Sequence, residues 1–292
     1  MCGRWLGIDF SGDFRQWSAG RSKSNVWVAR VEDSNGLALE ELTQIQSLPG
    51  DGTPFDRLVG LLSKRECDAT AIDAPFSVPR EYVPSGSHAE LLNLVARIDP
   101  EDNRPFPSGK AFREAVVKEG PPLSSPKPCR RTDCYWRCKG VNVRSTLWNG
   151  VRPGAPMTAA CLTMLHRSGC PIWPWCNSNE KGLLVEAFPA AQLLTWKMKF
   201  ESYNGPYRDP AKTRNAQTIR DGIVAGLQKR VNIGERFGHT VRQSADALDA
   251  VLCCFAAIAV TRDQVACPPQ YPEACREGWI SVMRDDGRLH QG

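Results

Sequence analysis

Five carboxylates interrupt otherwise apolar stretches of the chain: Asp9 in RWLGIDF (4–10), Asp73 in ATAIDAPF (69–76), Glu186 in GLLVEAFPAA (182–191), and Asp246 with Asp249 in SADALDAVLCCFAAIAVTR (244–262). A carboxylate taken out of water loses hydration that an apolar interior does not return. It persists there by pairing with a cation, by accepting several hydrogen bonds or by binding a metal. Basic residues are scarce within these motifs, which leaves backbone donors or a metal as partners. A set of oxygen donors alone suits Mg²⁺ or Mn²⁺, and mutual repulsion leaves such a set poorly stable without one. Each acid also has a plainer use. Asp9 could cap the turn through Ser11 and Gly12, and Asp73 could hold the Ala74-Pro75 turn. Glu186 could pair with an arginine from elsewhere in the chain, and Asp246 could be a first-turn acid favoured by the helix dipole.

The elements that carry these acids decide between the two uses. The run 4–10 reads as a short buried strand ending at Asp9, and 26–31 with 37–45 read as a hairpin behind it. Thr53 and Pro54 start an amphipathic helix bearing Phe55, Leu58, Val59, Leu61 and Leu62. The run 69–76 is a second buried strand with Asp73 at its end, and 182–191 reads as a fifth strand. Helices follow around 210–231, and 244–262 is a helix apolar nearly all round with Ser244 as its cap. The expected fold is α/β, with an RNase-H-like mixed sheet: antiparallel strands 1-2-3, then parallel strands 4 and 5, flanked by helices. Neighbouring first and fourth strands would bring Asp9 and Asp73 out side by side. Asp246 and Asp249 lie three apart, on one helical face and in or near its first turn.

Between the fourth and fifth strands the texture changes, since 75–182 holds 14 of the 22 prolines and 6 of the 12 cysteines. This marks 77–181 as a Pro/Cys-rich, mainly helical insertion within a domain spanning 1–265, with 266–292 as a C-terminal tail. Ser87 with Glu90 reads as a capping box, Ser108 as the cap of a helix ended by Gly120, and 158–167 as a third helix with Gly169 just past it. A net charge of +5 is too modest to signal nucleic acid by itself, but its placement is uneven. Lys127, Arg130, Arg131, Arg137, Lys139, Arg144 and Arg152 face a single acid, Asp133, so 127–152 carries +6 and the remainder −1. With Tyr135, Trp136 and Trp148 interleaved, the stretch could follow a phosphate backbone and stack bases, or form a solvated basic loop. Cys129, Cys134 and Cys138 could hold Zn²⁺, although the closer spacing of zinc knuckles is missing. The remaining cysteines read as free thiols. Without a signal-peptide pattern or a bilayer-length apolar run, a cytoplasmic location without membrane contact is expected.

LGIDFSG, TAIDAPFSVP, VEAFPA and SADALDAVLCCFAA together resemble the motifs of a family of predicted RNase-H-like nucleases, catalogued as domain of unknown function 429. The last motif is also distantly similar to the aspartate-bearing final helix of RuvC-type resolvases. The resemblance implies a divalent-metal-dependent hydrolase that cleaves nucleic-acid phosphodiester bonds by a two-metal mechanism. It implies metal ligation by Asp9, Asp73, Asp246 and Asp249, with Glu186 a further catalytic position. Arg131, beside Arg130 and Asp133, matches the family's arginine- and acid-containing segment and is the expected phosphate contact. Two other functions fit the same expected sheet. GIDFSGD resembles the phosphate loop of ATP-dependent phosphotransferases of the actin and sugar-kinase superfamily, although no second copy of the domain is readable. A catalytically inactive module that binds nucleic acid or a partner is the other.

Overall fold

A computed structural model of the chain describes residues 3–101, 104–123, 125–266 and 274–285. β1 (Gly3–Asp9) pairs antiparallel with β2 (Trp27–Asp33), and β2 pairs antiparallel with β3 (Leu37–Gln44). On its other side β1 runs parallel to β4 (Ala69–Asp73), which runs parallel to β5 (Leu183–Glu186). The order β3-β2-β1-β4-β5 is the mixed sheet expected from the sequence, antiparallel in strands 1-2-3 and parallel in 4 and 5, with the first and fourth strands adjacent.

Between β3 and β4 lies α1 (Pro54–Ser63). The Thr53 hydroxyl accepts from the Asp56 N–H at 3.2 Å, and the Asp56 carboxylate accepts from the Thr53 N–H at 2.9 Å, so two otherwise orphaned donors are satisfied reciprocally. The segment between β4 and β5 carries α2 (His88–Ala96), α3 (Gly109–Glu119), α4 (Arg131–Cys138) and α5 (Ala155–Ser168). Ser108 caps α3 as expected, and Gly169 closes α5 in the left-handed region. Ser87 precedes α2 but makes no capping hydrogen bond through its side chain, so the box with Glu90 does not form.

After β5 come α6 (Pro189–Thr195), α7 (Pro210–Leu227), α8 (Gly234–Gln243), α9 (Ala245–Thr261) and α10 (Ala274–Glu277). The run 182–191 is therefore not one strand. β5 stops at Glu186, and Pro189, which has no N–H to give a ladder, opens α6 instead. Residues 274–285, read as tail, pack on the core. Ser281 bridges Ala187 in parallel fashion, and Trp279, Ile280 and Val282 are buried.

Side chains alternate across the sheet. Leu6, Ile8, Val28, Ile72 and Leu184 face a core built with the helices α1, α2, α3 and α5. Trp5, Ala29, Val31, Ala71 and Val185 face the opposite core, built largely on α9. α8 and α9 meet at a 118° bend, which sets the start of α9 beside the sheet. No single helix among the described residues is long and apolar enough to cross a membrane.

Candidate active site at the carboxyl end of the sheet

Strand register brings the first two acids together, because Asp9 of β1 stands directly opposite Asp73 of β4. Both are odd-numbered positions on strands whose odd residues face α9. That helix lies against β1 with no room to spare: a Cβ on Gly7 would sit 2.1 Å from the Ala250 carbonyl oxygen and 2.5 Å from the Cys254 nitrogen. Glycine at position 7 lets the first turns of α9 approach the strand end two residues later. The Ser244 hydroxyl accepts from the Ala247 N–H at 3.1 Å and fixes where the helix begins. Asp246 and Asp249, three residues apart, then present their charges to Asp9 and Asp73.

The electrostatics of the four acids are mutually hostile. Burial, then repulsion from Asp249, Asp246 and Asp73, pushes the Asp9 carboxyl well above the usual carboxylate range. Burial and the Asp73 charge do the same to Asp249, opposed by a hydrogen bond from Tyr203, whose hydroxyl donates to Asp249 Oδ1 at 2.8 Å. Asp73 is pushed up to about 7, first by burial and then by Glu186, while Arg144 pulls it down. Burial raises Asp246. Among the described residues no Lys or Arg forms an ion pair with any of the four. Nor does Asp9 cap the turn after β1: Ser11 accepts there from the Asp13 N–H, and Asp13 from the Arg15 N–H.

Glu186 behaves differently, for a reason set by register. It stands opposite Ile72, so its side chain lies on the Ile72 face of the sheet rather than on the face of Asp73. There it accepts from Arg130 Nη1 at 2.7 Å and Nη2 at 2.6 Å, and from the Phe76 N–H at 3.0 Å. Burial raises its pKa, and Arg130 opposes the rise. The same guanidinium bonds Asp133, its Nη2 at 2.8 Å from Oδ1, and all three side chains are buried. The arginine from the insertion thus occupies Glu186. Arg130 and Asp133, expected at a substrate, spend their hydrogen-bonding capacity on a buried network.

A cleft of about 670 Å³ opens over the site, with Asp73, Asp249 and Tyr203 among its walls. Arg130 and Glu186 close it on one side, and Arg144 and Arg152 reach it from the insertion. Arg131, the expected phosphate contact, is exposed and does not line the cleft, because α4 turns its side chain away while its N–H bonds Glu277. Of the charge run 127–152, Arg130, Arg144 and Arg152 line the cleft, and the Arg130 guanidinium is taken up by Glu186 and Asp133. Tyr203 lies between α6 and α7, in a stretch without periodicity, and nothing in the sequence singles it out. Among the described residues no group of three or more His, Cys, Asp or Glu side chains stands close enough to hold a metal ion. This covers Cys129, Cys134 and Cys138 as well as the carboxylates. Cys129 lies against Arg137, and no disulfide joins the described cysteines.

A family model described as "Protein of unknown function (DUF429)" matches residues 7–274, and the chain belongs to that family. No curated protein and no solved structure matches it.

Proposed function

We propose that this DUF429 member is a divalent-metal-dependent hydrolase of nucleic-acid phosphodiester bonds, distantly related to RuvC-type resolvases. The observation that carries the reading is the meeting of Asp9, Asp73, Asp246 and Asp249 at one end of the sheet with no ion pair to any of them among the described residues. Four hard oxygen donors whose ionisation is opposed by burial and by one another form a site that a divalent cation would relieve. Asp9, central to the repulsion, would hold the ions together with Asp73, Asp246 and Asp249. Taking up ions would require the carboxylates to draw closer than they stand. When bound, such ions supply Lewis acidity toward an attacking water and a leaving oxygen in an in-line displacement at phosphorus.

The residues of the chain contribute the rest. Tyr203 holds Asp249 in one orientation through its hydroxyl. Arg144 and Arg152 offer guanidinium forks that match phosphate oxygens. The buried Arg130–Glu186 pair fixes the insertion to the sheet beside the cleft. The test is incubation of the full chain with single-stranded, duplex and branched nucleic acids plus Mn²⁺, against Asp9→Asn. Cleavage by the native chain, reduced to background in a variant with an unchanged circular dichroism spectrum, is expected. Equal cleavage by Asp9→Asn refutes the mechanism.

A second reading has one observation in its favour. Because no three of these groups are gathered tightly enough for an ion, a binding module without turnover fits the side chains as they stand. Binding of nucleic acid with no cleavage across metals and substrates would establish it.

A further inference from the structure

A second cavity, of about 420 Å³, adjoins the cleft and shares Asn142, Val143, Arg144 and Arg152 with it. Arg144 and Arg152 are therefore a common wall, facing the carboxylates on one side and this cavity on the other. Its further lining includes Lys127, Arg137 and Trp148, and no acid. Among the described residues neither Arg144 nor Arg152 forms an ion pair. The wall is held by bonds to backbone carbonyls. The N–H groups of Gly154 and Ala155 donate to the Trp148 carbonyl at 2.9 and 3.0 Å, and the Thr158 hydroxyl donates to the Thr146 carbonyl at 3.0 Å. At Gly154 a Cβ would sit 2.1 Å from the Ser145 carbonyl oxygen, so the two ends of the loop touch. On the floor, Arg137 Nε donates to the Val143 carbonyl at 2.8 Å, and the Lys127 ammonium sits 4.7 Å from the Trp148 ring centroid.

We propose that this second cavity is a phosphate subsite for the continuation of a single-stranded polynucleotide whose neighbouring phosphodiester lies at the carboxylates. The inference rests on the hydrolase reading of the cleft and adds the substrate class. A ligand with one phosphate would be accommodated by the cleft alone. A cavity lined by cations, without an acid and continuous with the cleft, gives a polyanion a second point of attachment. The recessed position of the acids selects the strand form. Asp73 and Asp249 stand in the walls of a cleft of about 670 Å³, and a phosphate reaches them by entering it. A single strand can bend into such a space, whereas a stacked duplex keeps its phosphates on a stiff rod. Cations along the path, with Phe188 lining the cleft and Trp148 the second cavity, are the composition of sequence-tolerant single-strand grooves.

The test measures binding without metal, so that its result does not depend on cleavage. Fluorescence anisotropy of a labelled oligothymidylate, free or annealed to oligoadenylate, is followed with the full chain in EDTA over a range of salt concentrations. The single strand should bind about 10-fold more tightly than the duplex. In the double variant Arg144→Ala, Arg152→Ala, the slope of log affinity against log salt should become shallower by about 1.4, from about 0.7 for each lost phosphate contact. Arg144→Lys, Arg152→Lys should keep the slope and shows that charge rather than folding is read out. Equal affinity for both forms, no binding of either, or an unchanged slope in the alanine variant overturns the proposal. A confirmed subsite with no cleavage by the native chain would leave the proposal standing and remove the hydrolase reading. Cleavage with equal affinity for both strand forms would do the reverse.

Discussion

Replacing Asp73 by asparagine should make the metal-free protein more stable at alkaline pH while removing its response to metal. In the folded chain the Asp73 carboxyl is pushed up from 3.8 to about 7, by burial first and by Glu186 second. Below pH 3.8 it is neutral in both the folded and the unfolded chain and costs nothing. Between 3.8 and 7 the unfolded chain ionises while the folded one keeps its proton, so stability falls as pH rises. Above 7 the loss is complete. A shift of 3.2 pH units corresponds to about 4 kcal/mol. Asparagine keeps the shape and carries no charge, so in EDTA at pH 8 Asp73→Asn should gain up to about 4 kcal/mol over the native chain in urea unfolding, and close to nothing at pH 4. Adding Mn²⁺ at pH 8 should raise the native melting temperature and leave the variant nearly unmoved, because the ion stabilises only what it binds. A variant destabilised equally at both pH values, or one with the native response to Mn²⁺, would refute the electrostatic account of the site.

Two further substitutions separate structural charges from functional ones. Glu186→Gln removes one carboxylate from the buried Arg130 fork and should cost about 3 kcal/mol in urea unfolding, as breaking a buried pair typically does; an unchanged midpoint would show that Glu186 does not serve stability. His88 stacks on Trp175 at 3.6 Å, its Nε2–H donates to the Phe76 carbonyl, and burial pushes its pKa down to about 4. Its contribution is present above pH 6.5 and is lost as pH falls toward 4, about 3 kcal/mol in all, so unfolding measured across that window should show a shallower acid loss in His88→Gln than in the native chain.

What the sequence made legible follows from which interactions are local. The ends of β1 and β4, the helix start at Thr53 and Pro54 and the cap at Ser244 are written within a few residues, and each stands where the pattern puts it. The capping box expected at Ser87 does not form despite the right residue types. The run 182–191 was legible only to Glu186, because an apolar stretch does not say where a ladder ends; Pro189 was the signal that a helix begins. Tyr203 reaches Asp249 across 46 positions of chain, and Trp279 to Val282 are buried by elements remote in sequence. Contacts of that span leave no periodic trace. The basic stretch was visible as composition, but which cations face the cleft depends on how α4 and the loop before α5 are turned, and that is a tertiary outcome.

The sharpest distinction among the acids is one of parity. Asp73 and Glu186 end adjacent parallel strands, and in the sequence both look like single charges closing apolar runs. The register pairs Glu186 with Ile72, one residue before Asp73, and a step of one along a strand moves a side chain to the other face. On that face Arg130 and the Phe76 N–H satisfy Glu186, and the pair anchors the insertion. On the opposite face Asp73 meets Asp9 and Asp249, with Asp246 beside them, and among the described residues no Lys or Arg forms an ion pair with any of the four, the Arg144 charge acting on Asp73 from farther off. A buried charge with its partner in place fixes structure. Buried like charges without one are relieved by a proton or by a ligand of opposite sign, and the proposed function places its ligand on the face where that repulsion remains.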